Sequence, residues 1–392
     1  MATKRTDAGR PRASSTTAAS EPDPRGDEAR SSLPGIQRPA AEILYARELE
    51  ALRASDAGPK PPGWKLSPRA VRAFILGDEA LGVRRKFVGN PALVDRAMVA
   101  LATNRGLLLV GEPGTAKSLL SELLAAAVSG RSTLTIQGSA GTTEDQIRYS
   151  WNYALLLAEG PSLRALVPSP LYLGMQAGAV VRFEEITRCP LETQDSLLAA
   201  LSDRVLAVPE LEGEAGMLFA KDGFNVVATA NTRDLGVNEM SAALKRRFNF
   251  ETVFPIADVA VEIALVREET RRLLDRAGVP AALGEDVLDL LVTTFRELRA
   301  GETADGQAME KLSSAMSTAE CVSVGFAVGV RGYYLGGGKA TPADVVECLA
   351  GAAIKSSADD AKRLRRYFEQ RVARREGAHW RAYFEARHRL PG

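Results

Sequence analysis

The segment Leu107–Ser118 combines residue types that bind phosphate groups. An apolar run is followed by a glycine-rich turn, then by Lys117 and Ser118, and then by leucines at helical spacing. This order predicts a strand, a loop and a helix start, which is the setting of a phosphate-binding P-loop. Backbone N–H groups would face the phosphates, Lys117 would reach the outer phosphates, and Ser118 would ligate Mg²⁺. Ala116 stands where glycine is usual.

The predicted nucleotide-binding residues of this segment are Gly111, Glu112, Pro113, Gly114, Thr115, Ala116, Lys117, Ser118 and Leu119.

Two adjacent carboxylates, Glu184 and Glu185, follow the apolar run Val180–Phe183. A buried strand that ends in paired carboxylates can hold a metal ion and a water molecule beside a phosphate chain. We expect Glu184 to contact Mg²⁺ and Glu185 to orient and deprotonate the attacking water. Aspartate is usual at the first position, so Glu184 would approach the metal with a longer side chain.

Three further side chains are predicted to take part in catalysis. Asn231 follows the buried run Phe224–Ala230, where its amide would hold the attacking water. Arg246 and Arg247 follow a short helical segment. One of them, with Arg247 favoured, is expected to project into the nucleotide site of a neighbouring subunit and neutralise transition-state charge. The alternative is a basic helix end stabilised by the helix dipole.

The elements that would position these side chains alternate between strand and helix. Such alternation predicts an α/β fold with a parallel sheet and helices on both faces. Beyond Pro255 the strand pattern stops and an all-α region follows, with helices expected over Ser313–Leu335 and Asp360–Arg387, among others. Within the α/β region a helix is expected over Leu191–Leu201. Residues 1–62 are rich in Ala, Ser, Pro and charge, which predicts a mostly disordered tail with one short helix near Ala40–Arg53. The expected units are 1–62, 63–255 and 256–392. The predicted strands are Gly106–Val110, Ser132–Gln137, Ala179–Phe183, Phe224–Ala230 and Phe248–Phe254.

Two insertions interrupt the alternation. Gly141–Pro170 is long for a strand-to-helix connection and carries Tyr149, Trp151 and Tyr153, which could grip a client or pack locally. Val205–Ala220 has the pattern of a β-hairpin with an acidic turn.

Composition restricts the class of protein. The net charge of +1 argues against a generally basic nucleic-acid binder. The three cysteines lack metal spacing, and the two histidines lie near the C-terminus, so neither a disulfide framework nor a histidine metal site is expected. With no apolar stretch of about 20 residues and no signal-peptide pattern, we expect a cytoplasmic protein without membrane insertion.

Taken in order, these motifs resemble the AAA+ ATPases, and within them the MoxR family. The resemblance rests on the P-loop including its Ala116, on Glu184–Pro190, on Ala228–Asn231 and on Ala243–Phe248. It implies a P-loop AAA+ core with a five-stranded parallel sheet, followed by an all-α lid. It also implies that Val88 and Gly89 border the adenine, and that the 205–220 hairpin is the pre-sensor insertion of that clade.

The same resemblance implies a function. Such proteins form homo-oligomeric rings, usually hexamers, with ATP and Mg²⁺ bound at subunit interfaces. They remodel protein clients, often partners with a von Willebrand factor A domain. One departure concerns the lid, because Ser317–Glu320 lacks the arginine that related lids present to the γ-phosphate. Arg331 is a substitute suggested by the sequence.

Two alternative functions remain open at this stage. A DNA translocase is one, since related rings use the same hairpin on nucleic acid; the segment Gly9–Arg12 and the basic, aromatic C-terminal stretch would suit that function. The alternative for Gly9–Arg12 is a solvated tail, and the alternative for the C-terminal stretch is packing onto the lid helices. The other function is a scaffold that binds ATP but turns it over slowly, as Glu184 and the lid departure suggest.

Overall fold

The computed structural model describes residues 36–232, 238–303, 305–355 and 357–391. Within them the strands are β1 Gly106–Gly111, β2 Thr135–Gln137, β3 Tyr149–Trp151, β4 Leu166–Pro168, β5 Val180–Glu184, β6 Val205–Ala207, β7 Met217–Phe219, β8 Asn225–Asn231 and β9 Phe248–Thr252. The α-helices are α1 Ala41–Leu44, α2 Ala46–Ser55, α3 Pro68–Leu76, α4 Pro91–Leu101, α5 Lys117–Ser129, α6 Glu144–Ile147, α7 Tyr153–Glu159, α8 Pro170–Ala177, α9 Leu191–Asp195, α10 Leu198–Ser202, α11 Ala242–Lys245, α12 Val259–Arg276, α13 Glu285–Ala300, α14 Thr318–Tyr334, α15 Pro342–Ala353, α16 Ala358–Gln370 and α17 Ala378–Glu385.

Five strands form one parallel sheet in the order β2-β5-β8-β1-β9. The register places Gly111 opposite Asn231, and Gln137 opposite Glu184, at the carboxyl ends of the strands. The predicted parallel sheet of five strands is therefore confirmed. It brings the P-loop, the paired glutamates and Asn231 to one edge.

Both faces of the sheet are covered, as the continuous apolar runs of its strands require. Leu107 and Leu109 point into a core shared with α3, α4 and α5. Leu108 points to the opposite side, into a core shared with Met175 of α8 and Leu201 of α10. Because successive side chains of β1 point to opposite faces, the strand packs against a layer of helices on each side of the sheet.

Residues 36–62 depart from the expected disorder, while residues 1–35 lie outside the described part of the chain. In α2, Leu49 and Leu52 lie on one helical face and are buried in the core beside Phe74. Residues Ile36–Ser55, which we call the strap, are also fixed by polar contacts to α5. The helix predicted near Ala40–Arg53 is therefore present as α1 and α2, while the domain boundary expected at residue 62 stays a prediction.

Other predicted boundaries also shift. The strand expected from Ser132 begins at Thr135, because Ser132 instead donates its amide and hydroxyl to Glu42. The helix expected over 191–201 is divided into α9 and α10, which the tight turn at Ser196 and Leu197 separates.

Each of the two insertions contains an antiparallel pair of strands. Strands β3 and β4 pair antiparallel within 141–170, flanked by α6 and α7. Strands β6 and β7 pair antiparallel, which confirms the hairpin predicted over 205–220. Its turn carries Glu210, Glu212 and Glu214.

The C-terminal region is helical throughout its described elements and has its own core. The helix expected from Ser313 begins at Thr318, because Ser317 and Glu320 form a capping box there. The expected helix over 360–387 is broken near Gly377, whose φ is 114°. Tyr367, Trp380 and Tyr383 are buried in the core, so the basic, aromatic stretch packs onto the lid helices.

None of the described helices combines the length and apolar character that a membrane span requires.

Candidate active site

The predicted P-loop has the expected local structure. Strand β1 ends at Gly111, the loop turns through Gly114 at a φ of 75°, and α5 begins at Lys117. Ala116, the residue before α5, has a φ of 66°, a left-handed conformation that favours glycine. The loop therefore adopts a glycine-like geometry even though one of its residues is alanine.

Lys117 is held close to the loop. Its side chain is buried, and its Nζ donates hydrogen bonds to the carbonyl oxygens of Gly111 at 3.1 Å and Glu112 at 2.7 Å. The ammonium group thus lies at the mouth of the loop, together with the N-terminal N–H groups of α5. This is a positively charged cradle suited to a phosphate chain.

The two residues predicted to hold the metal lie together. Ser118 donates its hydroxyl to Glu184 Oε2 at 2.7 Å, and Thr229 donates to the same oxygen at 2.8 Å. Ser121 donates to Glu184 Oε1 at 2.6 Å, and Arg182 donates to it at 2.7 Å. The longer side chain of glutamate therefore still reaches the serine at the start of α5.

Glu184 is a buried, charged carboxylate. Burial alone would raise its pKa, but the hydrogen bonds from Ser121 and Ser118 and the positive charge of Arg182 outweigh it, and the pKa is lowered. An ionised carboxylate beside a serine hydroxyl offers the hard oxygen donors that Mg²⁺ prefers. Mg²⁺ usually takes only one or two protein carboxylates, with phosphates and water completing its shell, so this pair fits the ion.

Glu185 and Asn231 occupy the neighbouring strand ends. Glu185 has a φ of 55°, an unusual backbone conformation for a side chain of its size, and its amide donates to Thr229 Oγ1 at 2.9 Å. Its carboxylate forms an ion pair with Arg188 at 2.9 Å. Asn231 pairs with Gly111 in the sheet, and the amide of Thr232 donates to the Gly111 carbonyl at 3.2 Å. Both candidates thus lie at the sheet edge that carries the P-loop.

A cavity of about 520 Å³ opens beside the loop. Residues 112–116 and Leu119 form its floor, while Phe87 and Val88 form one wall. Val88 lines this cavity, whereas Gly89 is not among its lining residues. The size and the mixed apolar and polar lining suit a nucleotide.

The C-terminal helices form the opposite wall. Ser317 lies so close to Gly114 that a β-carbon on this glycine would come within 2.2 Å of the serine side chain. Arg299 also lines the cavity, and it is bonded to the buried carboxylate of Glu262 at 3.0 Å. Arg331, the substitute suggested by the sequence, is paired instead with Asp344 and Glu347 and does not line the cavity. That suggestion is therefore wrong, because the far end of α14 faces α15.

Arg246 and Arg247 lie at the opposite edge of the sheet. The carbonyl of Arg247 accepts from the amide of Gly106, the first residue of β1. With a rise of about 3.3 Å per residue, the six residues of β1 separate this point from the P-loop by about 17 Å. Arg246 is exposed, and Arg247 donates to Ser202 Oγ at 2.6 Å. Neither reaches the P-loop of its own chain.

The three aromatic residues of the first insertion have different surroundings. Tyr149 is buried and donates to Glu210 at 2.8 Å, and burial with that contact raises its pKa to about 12. Trp151 is partly buried against the second core. Tyr153 is 68% exposed on α7, and Leu157, one turn later, is 89% exposed. Tyr149 joins the insertion to the hairpin, while the exposed apolar surface belongs to α7.

Several lining residues were not found by sequence reasoning. Tyr45 of the strap, Lys86 of the turn and Arg272 of α12 line the cavity, as does Arg299. Their sequence neighbourhoods carry no motif, and only the tertiary fold brings them to the nucleotide loop.

Comparison with known proteins agrees with this geometry. Residues 106–248 match the AAA domain of the dynein-related subfamily, and residues 260–391 match the YehL-like AAA+ ATPase C-terminal domain. YehL of Escherichia coli is 62% identical over 357 residues, which cover 91% of this chain and 98% of that protein. Chaperone MoxR1 of Mycobacterium tuberculosis is 27% identical, over 60% of this chain and 56% of that protein.

Solved structures that are similar to this chain include that of NtrX from Brucella abortus in complex with ADP. The two structures match with a TM-score of 0.47 and 14% sequence identity. The match covers 76% of this chain and 62% of NtrX.

The fold, the P-loop edge and the two matched segments define an AAA+ ATPase, and the expected resemblance to the AAA+ ATPases is confirmed. Within that class the chain belongs to the YehL-like AAA+ ATPases, as its two matched segments and its identity to a full-length relative show.

Proposed function

We propose that this AAA+ protein is a Mg²⁺-dependent ATPase that assembles into a ring and remodels a protein partner. The observation that carries the proposal is the buried Ser118–Glu184 pair beside the P-loop. It supplies an ionised carboxylate and a hydroxyl at the start of the phosphate-binding helix. A structural carboxylate would need neither the P-loop nor Glu185 beside it.

The residues would divide the chemistry in the following way. The P-loop amides and Lys117 bind the β- and γ-phosphates. Ser118 and Glu184 would hold Mg²⁺, which neutralises phosphate charge when bound. Asn231 orients the attacking water, and Glu185 accepts its proton, so that the water attacks the γ-phosphorus in line with the departing ADP oxygen.

The position of Arg246 and Arg247 supports an interface site. A guanidinium whose backbone lies about 17 Å from its own P-loop is badly placed to stabilise charge there, but it can reach a neighbouring subunit packed against that edge. Repeated around a closed ring, this head-to-tail contact completes every site. The hexamer is our proposed closed form.

A protein client suits the surface better than DNA does. Tyr153 and Leu157 expose an apolar stripe on α7, and the neighbouring hairpin turn carries three glutamates. Acidic turns repel a phosphate backbone, whereas an apolar stripe can bind a protein segment. The name of MoxR1 as a chaperone supports this choice. A partner with a von Willebrand factor A domain is our proposed client.

One observation favours a second candidate, a nucleotide-gated scaffold with low basal turnover. The Glu185 carboxylate is paired with Arg188, so the proposed base is already engaged. A partner that draws Arg188 away would release the base and start hydrolysis. This candidate predicts ATP binding and assembly without phosphate release until such a partner is added.

The substitution Glu185→Gln tests the catalytic assignment. It removes the base while retaining the size of the side chain, so ATP binding should persist and phosphate release should fall at least about 100-fold. Lys117→Ala should instead weaken ATP binding. Glu192→Gln, an exposed glutamate on α9, is the matched control and should behave like wild type. Hydrolysis by Glu185→Gln at the wild-type rate would contradict the assignment.

A further inference from the structure

The strap, residues 36–55, lies outside both matched segments, yet it contributes a wall of the nucleotide cavity. Tyr45 is its lining residue. It occupies the break between α1 and α2, with a φ of −112° and a ψ of 27°. This break turns one aromatic side chain towards the cavity while Leu49 and Leu52 remain in the core.

The strap is tied to the helix that follows the P-loop. The buried carboxylate of Glu122 on α5 accepts from Arg38 at 2.8 Å and from the amide of Ala41 at 3.1 Å. Glu42 accepts two hydrogen bonds from Ser132, just beyond α5. The strap therefore has a fixed position relative to the P-loop helix.

The same strap is tied to the C-terminal helices. Arg276 of α12 donates to the carbonyl of Gln37 at 2.6 Å. Burial raises the pKa of Tyr45, and the positive charge of Arg272, one turn earlier on α12, opposes that rise. Both tyrosine and arginine line the cavity. The strap thus bridges the α/β core and the lid beside the cavity.

The ring of Tyr45 is held in place on its other side. It packs edge-on against Phe74, with 5.8 Å between ring centroids, and Lys86 Nζ lies 4.8 Å from its centroid. Lys86 is in turn paired with Glu48 of α2. A ring held at its edge and at one face loses little entropy when a ligand packs on it.

We propose that Tyr45 is a base-positioning residue: its ring packs against the base of the bound nucleotide, and Arg272 fixes the ring between strap and lid. Besides Tyr45 and the phosphate loop, the cavity lining includes the apolar side chains of Phe87, Val88, Ile256 and Val322, which suit a planar base. This inference rests on the proposed nucleotide binding. It adds a linkage, because a nucleotide that contacts core, strap and lid together stabilises their docked arrangement.

The test compares ATP with inorganic tripolyphosphate, which has the phosphates but no base. Calorimetric titrations would use the full-length protein, Tyr45→Ala, Tyr45→Phe and, as the control, Glu50→Ala on the exposed side of α2. Tyr45→Ala should raise the Kd for ATP about tenfold, since an aromatic–base contact is worth about that factor. It should leave the Kd for tripolyphosphate unchanged. Tyr45→Phe and Glu50→Ala should keep ATP affinity within about twofold.

Three outcomes would count against the inference, and they are distinguishable. An unchanged Kd of Tyr45→Ala for ATP would mean that Tyr45 does not contact the base. An equal loss of ATP and tripolyphosphate affinity would mean that Tyr45 supports the fold and not the base. If the wild-type protein bound neither compound, the proposed nucleotide function itself would fail.

Hydrogen exchange provides an independent readout of the linkage. Amides of residues 46–55 should exchange more slowly when ATP is added, and tripolyphosphate should have no such effect. Arg272→Ala should abolish most of the ATP-dependent protection while preserving tripolyphosphate binding. Protection that is the same with both compounds would overturn the proposed role of the base.

Discussion

Ala116 has a measurable cost at the scale of a single residue. A left-handed conformation costs an alanine about 1 kcal/mol that glycine does not incur, although glycine adds entropy to the unfolded chain. Ala116→Gly should therefore raise the free energy of unfolding by about 0.5 kcal/mol. The matched control is Ala264→Gly, in the exposed middle of α12. There the same change should lower the free energy of unfolding by about 1 kcal/mol. Chemical denaturation measures both. Equal losses in the two variants would contradict the strained geometry.

Lys86 gives a pH dependence at the same scale. Its side chain is 2% exposed, and burial lowers its pKa from 10.5 to about 8 despite the pairing with Glu48. Between these values the unfolded chain binds more protons than the folded chain, so this lysine makes stability rise with pH. Relative to Lys86→Met, the wild-type protein should gain about 2 kcal/mol of unfolding free energy from pH 8 to pH 10.

The control for this measurement is Lys362→Met, since Lys362 is 70% exposed on α16. Its stability difference from wild type should stay constant over the same range. If the wild-type protein instead lost stability relative to Lys86→Met as the pH rises, the pH dependence would have the opposite sign. That result would contradict the burial argument.

At the scale of elements, the contact between the P-loop and α14 links nucleotide binding to the lid. Gly114→Ala would combine a left-handed backbone with a collision against Ser317. Gly82→Ala is the matched control, because Gly82 has a φ of 64° but nothing within 4 Å of the added carbon. Gly82→Ala should lower the free energy of unfolding by about 1 kcal/mol, and Gly114→Ala should lower it further and weaken ATP binding. Equal effects on stability and no loss of ATP affinity would contradict a packed loop–lid contact.

The elements also explain what the sequence could predict. The P-loop, Glu184, Glu185 and Asn231 follow apolar runs, and parallel strands carry the residues at their ends to one edge. Tyr45 and Arg299 could not be found in this way, since each reaches the cavity through contacts between segments far apart in the chain. The helix of the strap could be predicted near Ala40–Arg53, but its packing against the core could not, because its apolar stripe is only a few residues long. Its stability comes from the surface of α3 and α5 on which it packs.

At the scale of the whole molecule, the sheet separates the proposed catalytic residues into two groups. The carboxyl edge carries the P-loop, Glu185 and Asn231, and the opposite edge carries Arg246 and Arg247. Under the proposed function, one chain offers a nucleotide site at one edge of the sheet and an arginine finger at the other. The proposed ring is the arrangement in which each subunit completes the site of its neighbour.

The most direct test of this account is steady-state phosphate release measured against protein concentration, with the mass of the particles measured in the same samples. An interface-built ATPase predicts that activity per subunit rises with concentration as ATP- and Mg²⁺-dependent hexamers appear. Activity per subunit that is constant down to concentrations where only monomers exist would contradict it, because a monomer would then contain the complete catalytic site.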